Sequence, residues 1–320
     1  MIYYRRLIDI RPVILLLAGW MILSASCQAR KNISESPSEK LDKSVLWEIS
    51  HSSLSSPSYL LGTIHLIPEE YYFWPQEFDH AFQNSDQVAM EIDMGSLDPA
   101  DLMGMMGSLM MSDDQTIEDL VSAEQYEIIT DYFSRMGLPF MLLERIKPFF
   151  LYMFVSMDIA NLDQGSMKSY EMEIMEKAAA QDKPTTGLET IETQISLFDS
   201  IPYSYQAQML AEAILEKEGN LEAGQDMDEI FRQYAAQDLE AMYRMSSKEE
   251  DEIMKEFNLL LIDQRNKNWI PEIEKLLREK PTFIAVGAGH LAGENGVIPL
   301  LRKAGYTLTP IKIESGYGTD

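Results

Sequence analysis

The sequence predicts an α/β fold, a mixed sheet built from strands near both ends of the chain with large helical insertions between them. Apolar residues recur at helical spacing through 122–136, 142–159 and 169–180. Short apolar runs bounded by Gly, Pro and Ser, which are typical of strands, occur instead at 45–49, 59–64, 87–92, 282–287 and 306–313. The two periodicities therefore separate the predicted sheet from the predicted insertions.

The first elements alternate between strand and helix. The strands at 45–49 and 59–64 are joined by SHSSLSSPS, whose Ser and Pro residues predict a hairpin loop, and the second strand ends at His65. An amphipathic helix around 76–84 and a strand at 87–92 follow. Such alternation is typical of an α/β sheet.

Two long helical regions occupy the middle of the chain. They are expected at about 98–180 and 191–279, separated by a short buried strand that ends at Glu189. A helix at 296–304 then leads to the closing strand. The first region holds the Met-dense segment 102–111, which indicates either gap-filling in a helical core or a groove for an apolar ligand or peptide.

Composition limits the possible partners. The chain has 320 residues, 46% hydrophobic and 24% charged, which are ordinary proportions for a globular protein. Its formal net charge of −26 argues against nucleic-acid binding, which relies on Lys and Arg to neutralise phosphates. Anionic lipid head groups would also repel it, so membrane attachment requires a hydrophobic anchor.

The N-terminal segment predicts such an anchor. Three Arg residues precede an apolar run at 13–23, which is followed by Ser24, Ala25, Ser26 and then Cys27, the only cysteine in the chain. This is the pattern of a secretion signal. Small residues before a Cys resemble a bacterial lipobox, although Leu23 stands four residues before the Cys rather than three. Simple secretion without lipidation is the alternative.

These features predict an extracytoplasmic, membrane-anchored bacterial lipoprotein on the periplasmic or outer-membrane side. Residues 1–26 would be the signal peptide, and 27–43 the lipidated Cys27 with a polar, flexible tether. The remainder, 44–320, is expected to form one α/β domain.

Two of the four histidines share one local pattern. His65 and His290 each follow an apolar strand, a Gly and two further residues. Ligands of α/β sheets bind beyond strand ends, and neighbouring strands could bring both imidazoles to one sheet edge. For either His alone, a structural hydrogen bond is the alternative.

Two glutamates have a similar placement. Glu91 lies within the apolar run VAMEID, and Glu189 ends TTGLE. A buried carboxylate requires a partner, which is either a metal ion or an Arg or backbone amide. Arg265, one helical turn before Trp269, offers donors for a substrate carboxylate or a developing oxyanion; a salt bridge is the alternative.

Five segments together carry a family resemblance: YLLGTIH ending at His65, VAMEID around Glu91, the segment from Asp163 through GLETIETQ around Glu189, Arg265-Asn266 with Trp269, and FIAVGAGHLAGE around His290. In these segments the chain resembles the TraB/GumN family, which is related to the Tiki metalloproteases. The resemblance implies an erythromycin-esterase-like α/β fold, an active site built from the two GxxH histidines and acidic residues, and, by analogy with Tiki proteins, divalent-metal-dependent peptide cleavage.

We therefore expect a metal-dependent hydrolase, most simply a peptidase acting on a peptide or small-molecule substrate. The ion would be Mn²⁺, Co²⁺ or Zn²⁺, because imidazole and carboxylate ligands suit all three. Arg265 would bind the substrate or stabilise its oxyanion. The residues expected to hold the ion or activate its water are His65, Glu91, Glu189 and His290. The competing hypothesis is a non-catalytic lipoprotein that sequesters a peptide or small hydrophobic ligand.

Overall fold

The computed structural model describes residues 41–156, 167–219, 225–246 and 251–313. The predicted signal peptide, Cys27 and most of the predicted tether lie outside the described residues, as does the segment around Asp163. The chain divides into two compact units. Of the described residues, the smaller unit contains 109–156 and 202–219, and the larger unit contains the rest.

The larger unit is built on a six-stranded sheet with the order β6-β4-β7-β2-β1-β8. Its strands are β1 Leu46–Ser50, β2 Ser58–Thr63, β4 Gln87–Met90, β6 Thr185–Gly187, β7 Thr282–Gly287 and β8 Thr307–Pro310. A second, two-stranded sheet pairs β3 (Ile67–Pro68) with β5 (Met167–Lys168). β2, β4 and β7 are buried at every residue, which explains why they are continuous apolar runs rather than alternating ones.

Four adjacent strands of the main sheet run in the same direction. β7 pairs in parallel with β2 on one side and β4 on the other, and β4 pairs in parallel with β6. β1 is antiparallel to both β2 and β8. The carboxyl ends of β6, β4, β7 and β2 therefore meet along one edge, where α/β proteins bind their ligands.

The helices of the larger unit follow the chain between these strands. They are α1 Gln76–Gln83, α2 Pro99–Ser108, α5 Tyr170–Ala180, α6 Ile191–Ser196, α8 Gln225–Ala235, α9 Leu239–Ser246, α10 Glu252–Asn258, α11 Arg265–Glu279 and α12 Val297–Lys303. α1 buries Phe78, Ala81 and Phe82, whose spacing places them on one face. Ser169 caps the N-terminus of α5, and its side chain accepts a hydrogen bond from the backbone N–H of Met172.

The core of the larger unit combines strand residues with large aromatic side chains. Trp47 and Phe283 on the sheet are fully buried, and so are Tyr170, Tyr234 and Trp269 on helices. Burying one large apolar side chain contributes roughly 1.5–3 kcal/mol. One of these aromatic residues also fixes the backbone near the carboxyl end of β2, because the Tyr234 hydroxyl donates a hydrogen bond to the carbonyl of Gly62 at 2.9 Å.

The smaller unit is helical in its described residues, apart from an isolated bridge between Met110 and Ile146. Its α-helices are α3 Ala123–Arg135, α4 Pro148–Ser156 and α7 Tyr203–Glu218, with short 3₁₀ helices at Ile117–Leu120 and Phe140–Leu142. α3 starts with a capping box between Ser122 and Gln125. The unit has its own core, in which Phe133, Leu151 and Leu210 are buried.

The predicted fold class is confirmed. The sheet is mixed, most of its strands come from the two ends of the chain, and helices fill the regions between them. The two-stranded sheet was not predicted, because β3 and β5 have only two residues each and carry no periodicity. The domain boundaries remain predictions. No helix among the described residues is both long and apolar enough to span a membrane.

Candidate functional site

The predicted site residues lie at the carboxyl edge of the parallel strands. His65 follows β2 and His290 follows β7; these strands are neighbours, with Thr63 opposite Gly287. Glu91 comes directly after β4, and Glu189 follows β6. The expectation that neighbouring strands bring the two GxxH segments to one sheet edge is confirmed.

Arg265 joins the two glutamates. Its Nη2 lies 2.5 Å from Glu91 Oε2 and 2.6 Å from Glu189 Oε1, and its Nε donates to Glu189 Oε1 at 2.9 Å. The side chain of Arg265 is only 3% exposed, and those of Glu91 and Glu189 are 8% and 9% exposed. A cation and two anions are thus buried together, which compensates part of the cost of removing each from water.

The second terminal nitrogen of Arg265 is also engaged. Nη1 donates to the carbonyl of Leu261 at 3.0 Å and lies 3.0 Å from His290 Nε2. A guanidinium has five N–H donors, and these contacts occupy all of them. In this arrangement Arg265 therefore has no donor left for a substrate carboxylate or an oxyanion, and it acts as the counter-ion of Glu91 and Glu189.

A π-helical segment precedes Arg265. Leu259–Gln264 forms wide turns between α10 and α11 and continues directly into Arg265. Such turns are rare and occur frequently at functional sites. After this segment, Arg265, Asn266 and Trp269 are all buried on α11.

Hydrogen bonds fix the protonation state of His290. The Asn266 Nδ2 group donates to the carbonyls of His290 (3.2 Å) and Asn295 (2.8 Å), so its Oδ1 is the acceptor for His290 Nδ1 at 2.7 Å. Nδ1 therefore carries the proton, and Nε2 accepts from Arg265. Burial, reinforced by the charge of Arg265, lowers the pKa of His290 to about 3. His290 is consequently a neutral ring with both nitrogens engaged.

Glu91 accepts hydrogen bonds from three donors. Besides Arg265, it accepts from the backbone N–H of Gly287 at 2.8 Å and from Gln194 Nε2 at 3.1 Å. Burial alone would raise the pKa of Glu91, but the positive charge of Arg265, the largest opposing cause, holds it well below its usual range. For Glu189 the balance differs, because burial raises its pKa despite the contact with Arg265.

His65 has a different partner from the other site residues. Its Nδ1 lies 3.0 Å from Glu171 Oε1, and its side chain is 18% exposed compared with 4% for His290. Burial would lower the pKa of His65, but attraction to Glu171 and their hydrogen bond outweigh it and raise the pKa to about 9. The two GxxH histidines thus differ in charge: His65 is cationic at neutral pH and His290 is neutral.

Sequence reasoning missed Glu171 and Gln194. Glu171 lies in the first turn of α5, where an acidic residue after a Ser cap is an ordinary helix start, so no local signal distinguished it. Gln194 is a buried polar residue of α6 within the segment that carries the family resemblance. Asp93, two residues beyond Glu91, accepts hydrogen bonds from Thr185 and Gly95 and so holds the backbone turn.

The predicted ligands do not form a metal site as they are placed here. Among the described residues, no three His, Cys, Asp or Glu side chains are arranged to hold one ion. Glu91 and Glu189 direct oxygens at Arg265, both ring nitrogens of His290 are engaged, and His65 is paired with Glu171. A guanidinium already supplies the positive charge that these carboxylates require, so this donor set does not fit a divalent ion.

The fold and site define a class: an α/β protein with a buried ion cluster and two strand-end histidines at the carboxyl edge of a parallel sheet. The chain belongs to the TraB/PrgY/gumN family, whose model matches residues 45–310. This match includes every candidate site residue except Cys27.

The curated relatives are metalloproteases by name. Metalloprotease TIKI1 of Danio rerio is 24% identical over 311 residues, which cover 82% of this chain and 62% of the relative. Metalloprotease TIKI2 of Danio rerio is 22% identical, covering 84% and 61%, and TIKI1 of Homo sapiens is 22% identical, covering 88% and 64%. The chain thus spans about six-tenths of the length of these relatives. No solved structure matches it.

We predict that Arg265→Gln lowers the free energy of unfolding by about 3–5 kcal/mol, because the neutral side chain leaves two buried carboxylates without their cation. Urea unfolding monitored by tryptophan fluorescence would measure the loss. Arg278→Gln, on the same helix but with a 58% exposed side chain, is the matched control. It should change stability by less than about 0.5 kcal/mol. Equal stability of the two variants would contradict the counter-ion assignment.

We predict that stability peaks near pH 6.5, because the two histidines act in opposite directions. The contribution of His65 is fully present below its ordinary pKa of 6.5 and is lost as the pH rises through about 9. His290 stays neutral in the folded protein down to about pH 3 but binds a proton below 6.5 when unfolded, so acid destabilises the fold. On the acid and alkaline limbs, that is, on either side of this maximum, the free energy of unfolding changes by at most about 1.4 kcal/mol per pH unit.

Urea unfolding at about pH 5, 6.5 and 8.5 would test this dependence. A His65→Gln variant should lose the alkaline limb and retain the acid limb. Stability that rises steadily to pH 8.5 in the unsubstituted protein would refute the assignment of charge to His65.

Proposed function

We propose that this chain is a hydrolase that cleaves peptide bonds. The observation that carries the proposal is a partly exposed, cationic histidine, His65, beside a buried ion cluster at the ligand-binding edge of the sheet. Histidine is the side chain that most often transfers protons in acid–base catalysis. The names of the relatives support the choice of a peptide as substrate.

In the proposed reaction, His65 is the proton donor. The oxygen of a water molecule bonds to the carbonyl carbon, and the carbon–nitrogen bond breaks as protonated His65 gives its proton to the departing amine. The proton released by the attacking water then returns to His65, so that the residue is restored. Arg265 and the two glutamates contribute a fixed electrostatic environment rather than direct contacts with the substrate. The N–H donors of Arg265 and most of the carboxylate oxygens of Glu91 and Glu189 are already engaged in hydrogen bonds with each other or with neighbouring groups.

Metal dependence is a separate part of this proposal. It is supported by the names of the relatives, while the donor set described above supplies no place for the ion. Peptide cleavage measured after chelation, and again after addition of Mn²⁺, Co²⁺ or Zn²⁺, addresses it. Activity that survives chelation would remove the metal requirement and leave the hydrolase.

A digest of a peptide library, with new termini identified by mass spectrometry, tests the hydrolase itself. We predict that His65→Gln lowers the cleavage rate by about 10²–10⁴-fold, the usual contribution of a general acid. His80→Gln is the matched control, because His80 is an exposed histidine on α1 whose ring contacts Gln76. Full activity in His65→Gln would exclude His65 as the proton donor.

One observation favours the competing binding function. On α2, Met103 and Met106 are 77% and 50% exposed, whereas Met105 is buried, so part of the Met-dense segment presents an apolar surface to solvent. Adaptable Met side chains suit a peptide-binding surface. Under this hypothesis, library peptides bind without cleavage, and Met103→Ser weakens their binding.

We also propose that the protein is exported and anchored through a lipid on Cys27. The support is the basic and apolar N-terminal pattern and the single cysteine. Metabolic labelling with a fatty-acid analogue should mark the protein and should not mark a Cys27→Ser variant. Equal labelling of the two would refute the anchor.

A further inference from the structure

Among the described residues, Glu171 is the acidic residue that pairs with His65, whereas Glu91 and Glu189 pair with Arg265. We propose, resting on the hydrolase function above, that Glu171 is a positioning residue: it holds His65 by Nδ1, so that Nε2 is the ring nitrogen presented to the substrate. The remaining site residues could not do this, because Glu91 and Glu189 are held by Arg265.

The carboxylate of Glu171 is itself fixed from two sides. Oε1 accepts from the hydroxyl of Thr63 at 2.6 Å, and Oε2 accepts from the hydroxyl of Ser169 at 3.3 Å. Glu171 also lies in the first turn of α5, where the helix dipole stabilises a negative charge. A carboxylate held in this way has little freedom to rotate, so it can fix the orientation of the ring bonded to it.

The contact with Thr63 ties this pair to the GxxH segment. Thr63 is the last residue of β2 and stands two residues before His65, so a strand end and a helix start hold Glu171 between them. The backbone of the same segment is anchored by the bond from Tyr234 to the carbonyl of Gly62. His65 thus receives its orientation from a rigid frame, as a group that transfers protons requires.

The two histidines show why this role belongs to His65. Both nitrogens of His290 are occupied, and its side chain is 4% exposed. His65 is 18% exposed, and the described residues provide it with a hydrogen bond only at Nδ1. Arrangements in which a carboxylate holds one imidazole nitrogen and leaves the other for chemistry recur in acid–base catalysis.

Several charged groups act on His65, so the test must separate them. Glu171 and Glu91 favour its charged form, whereas Arg265 disfavours it. Glu171→Gln removes the charge of Glu171 at nearly constant size and leaves the Arg265 cluster untouched. Glu171→Asp keeps the charge on a shorter side chain. Glu176→Gln is the matched control, because Glu176 is an exposed residue of the same helix.

The first readout is the titration of the histidine ring signals by NMR, which requires no substrate. The chain has only four histidines, so single substitutions assign each signal. We expect Glu171→Gln to lower the pKa of His65 from about 9, Glu171→Asp to restore most of it, and Glu176→Gln to leave it unchanged. A His65 titration that is unaltered in Glu171→Gln overturns the proposal.

The second readout is kinetic, on a peptide identified in the library digest. Partners that orient the histidines of metal sites typically contribute about 10–100-fold to activity, and we use the same range for a carboxylate that orients His65. We expect a loss of this size in kcat for Glu171→Gln, a change in KM of less than about threefold, and partial rescue by Glu171→Asp. A fall confined to KM, or equal loss in the Gln and Asp variants with intact circular dichroism spectra, overturns the positioning role.

The two readouts keep this proposal distinct from the proposed function. If no peptide is cleaved but Glu171→Gln shifts the His65 titration, the hydrolase and with it the catalytic role of Glu171 are refuted, and only the orienting contact stands. If the unsubstituted protein cleaves peptides and Glu171→Gln retains its kcat, the hydrolase stands and the proposal fails. Should Glu171→Gln not fold, Glu171→Asp is compared with Glu176→Gln, and a kcat of the Asp variant equal to that of Glu176→Gln overturns the proposal, because the shorter side chain should misplace the carboxylate.

Discussion

The burial of one guanidinium between two carboxylates constrains the rest of the site. Charges taken out of water cost several kcal/mol each unless partners compensate them. Arg265 on α11 provides that compensation for Glu91, which follows β4, and for Glu189, which follows β6, and it also bonds the ring that follows β7. One side chain therefore connects three strand ends to one helix. Displacing any of these elements would separate buried charges, so the geometry of the sheet edge is held electrostatically as well as by packing.

The two GxxH segments have similar sequences, but their histidines lie in different electrostatic environments. Burial lowers the pKa of His290, and the positive charge of Arg265 beside it lowers the pKa further, so the ring is neutral and serves to hold the guanidinium. His65 lies beside Glu171, which favours its charged form, and its side chain is more exposed. Two equal motifs thus become a structural and an accessible histidine, because their burial and the charges of their neighbouring side chains differ.

The sequence predicted the candidate residues better than their partners. A buried carboxylate needs a compensating positive charge, and the sequence alone does not distinguish a metal ion from an arginine as the source of that charge. Arg265 was recognised as a candidate for substrate binding, yet its distance in sequence from Glu91 and Glu189 gave no indication that its donors would be consumed by them. Glu171 carried no signal, since an acidic residue after a serine cap is what many helices contain.

The sequence by itself determined the alternation of strands and helices and the position of His65, Glu91, Glu189 and His290 at or near strand ends, because apolar periodicity is a local property of the chain. Which strands are neighbours, and that β2, β4, β6 and β7 run parallel, depends on pairing between distant segments. Only the tertiary structure decided which charges meet. Arg265 stands 174 residues from Glu91 and 76 residues from Glu189 in the sequence. His65 and Glu171 are 106 residues apart (171 − 65). Hydrogen bonds and ion pairs act over a few ångströms, so contacts between such distant residues exist only once the sheet has formed.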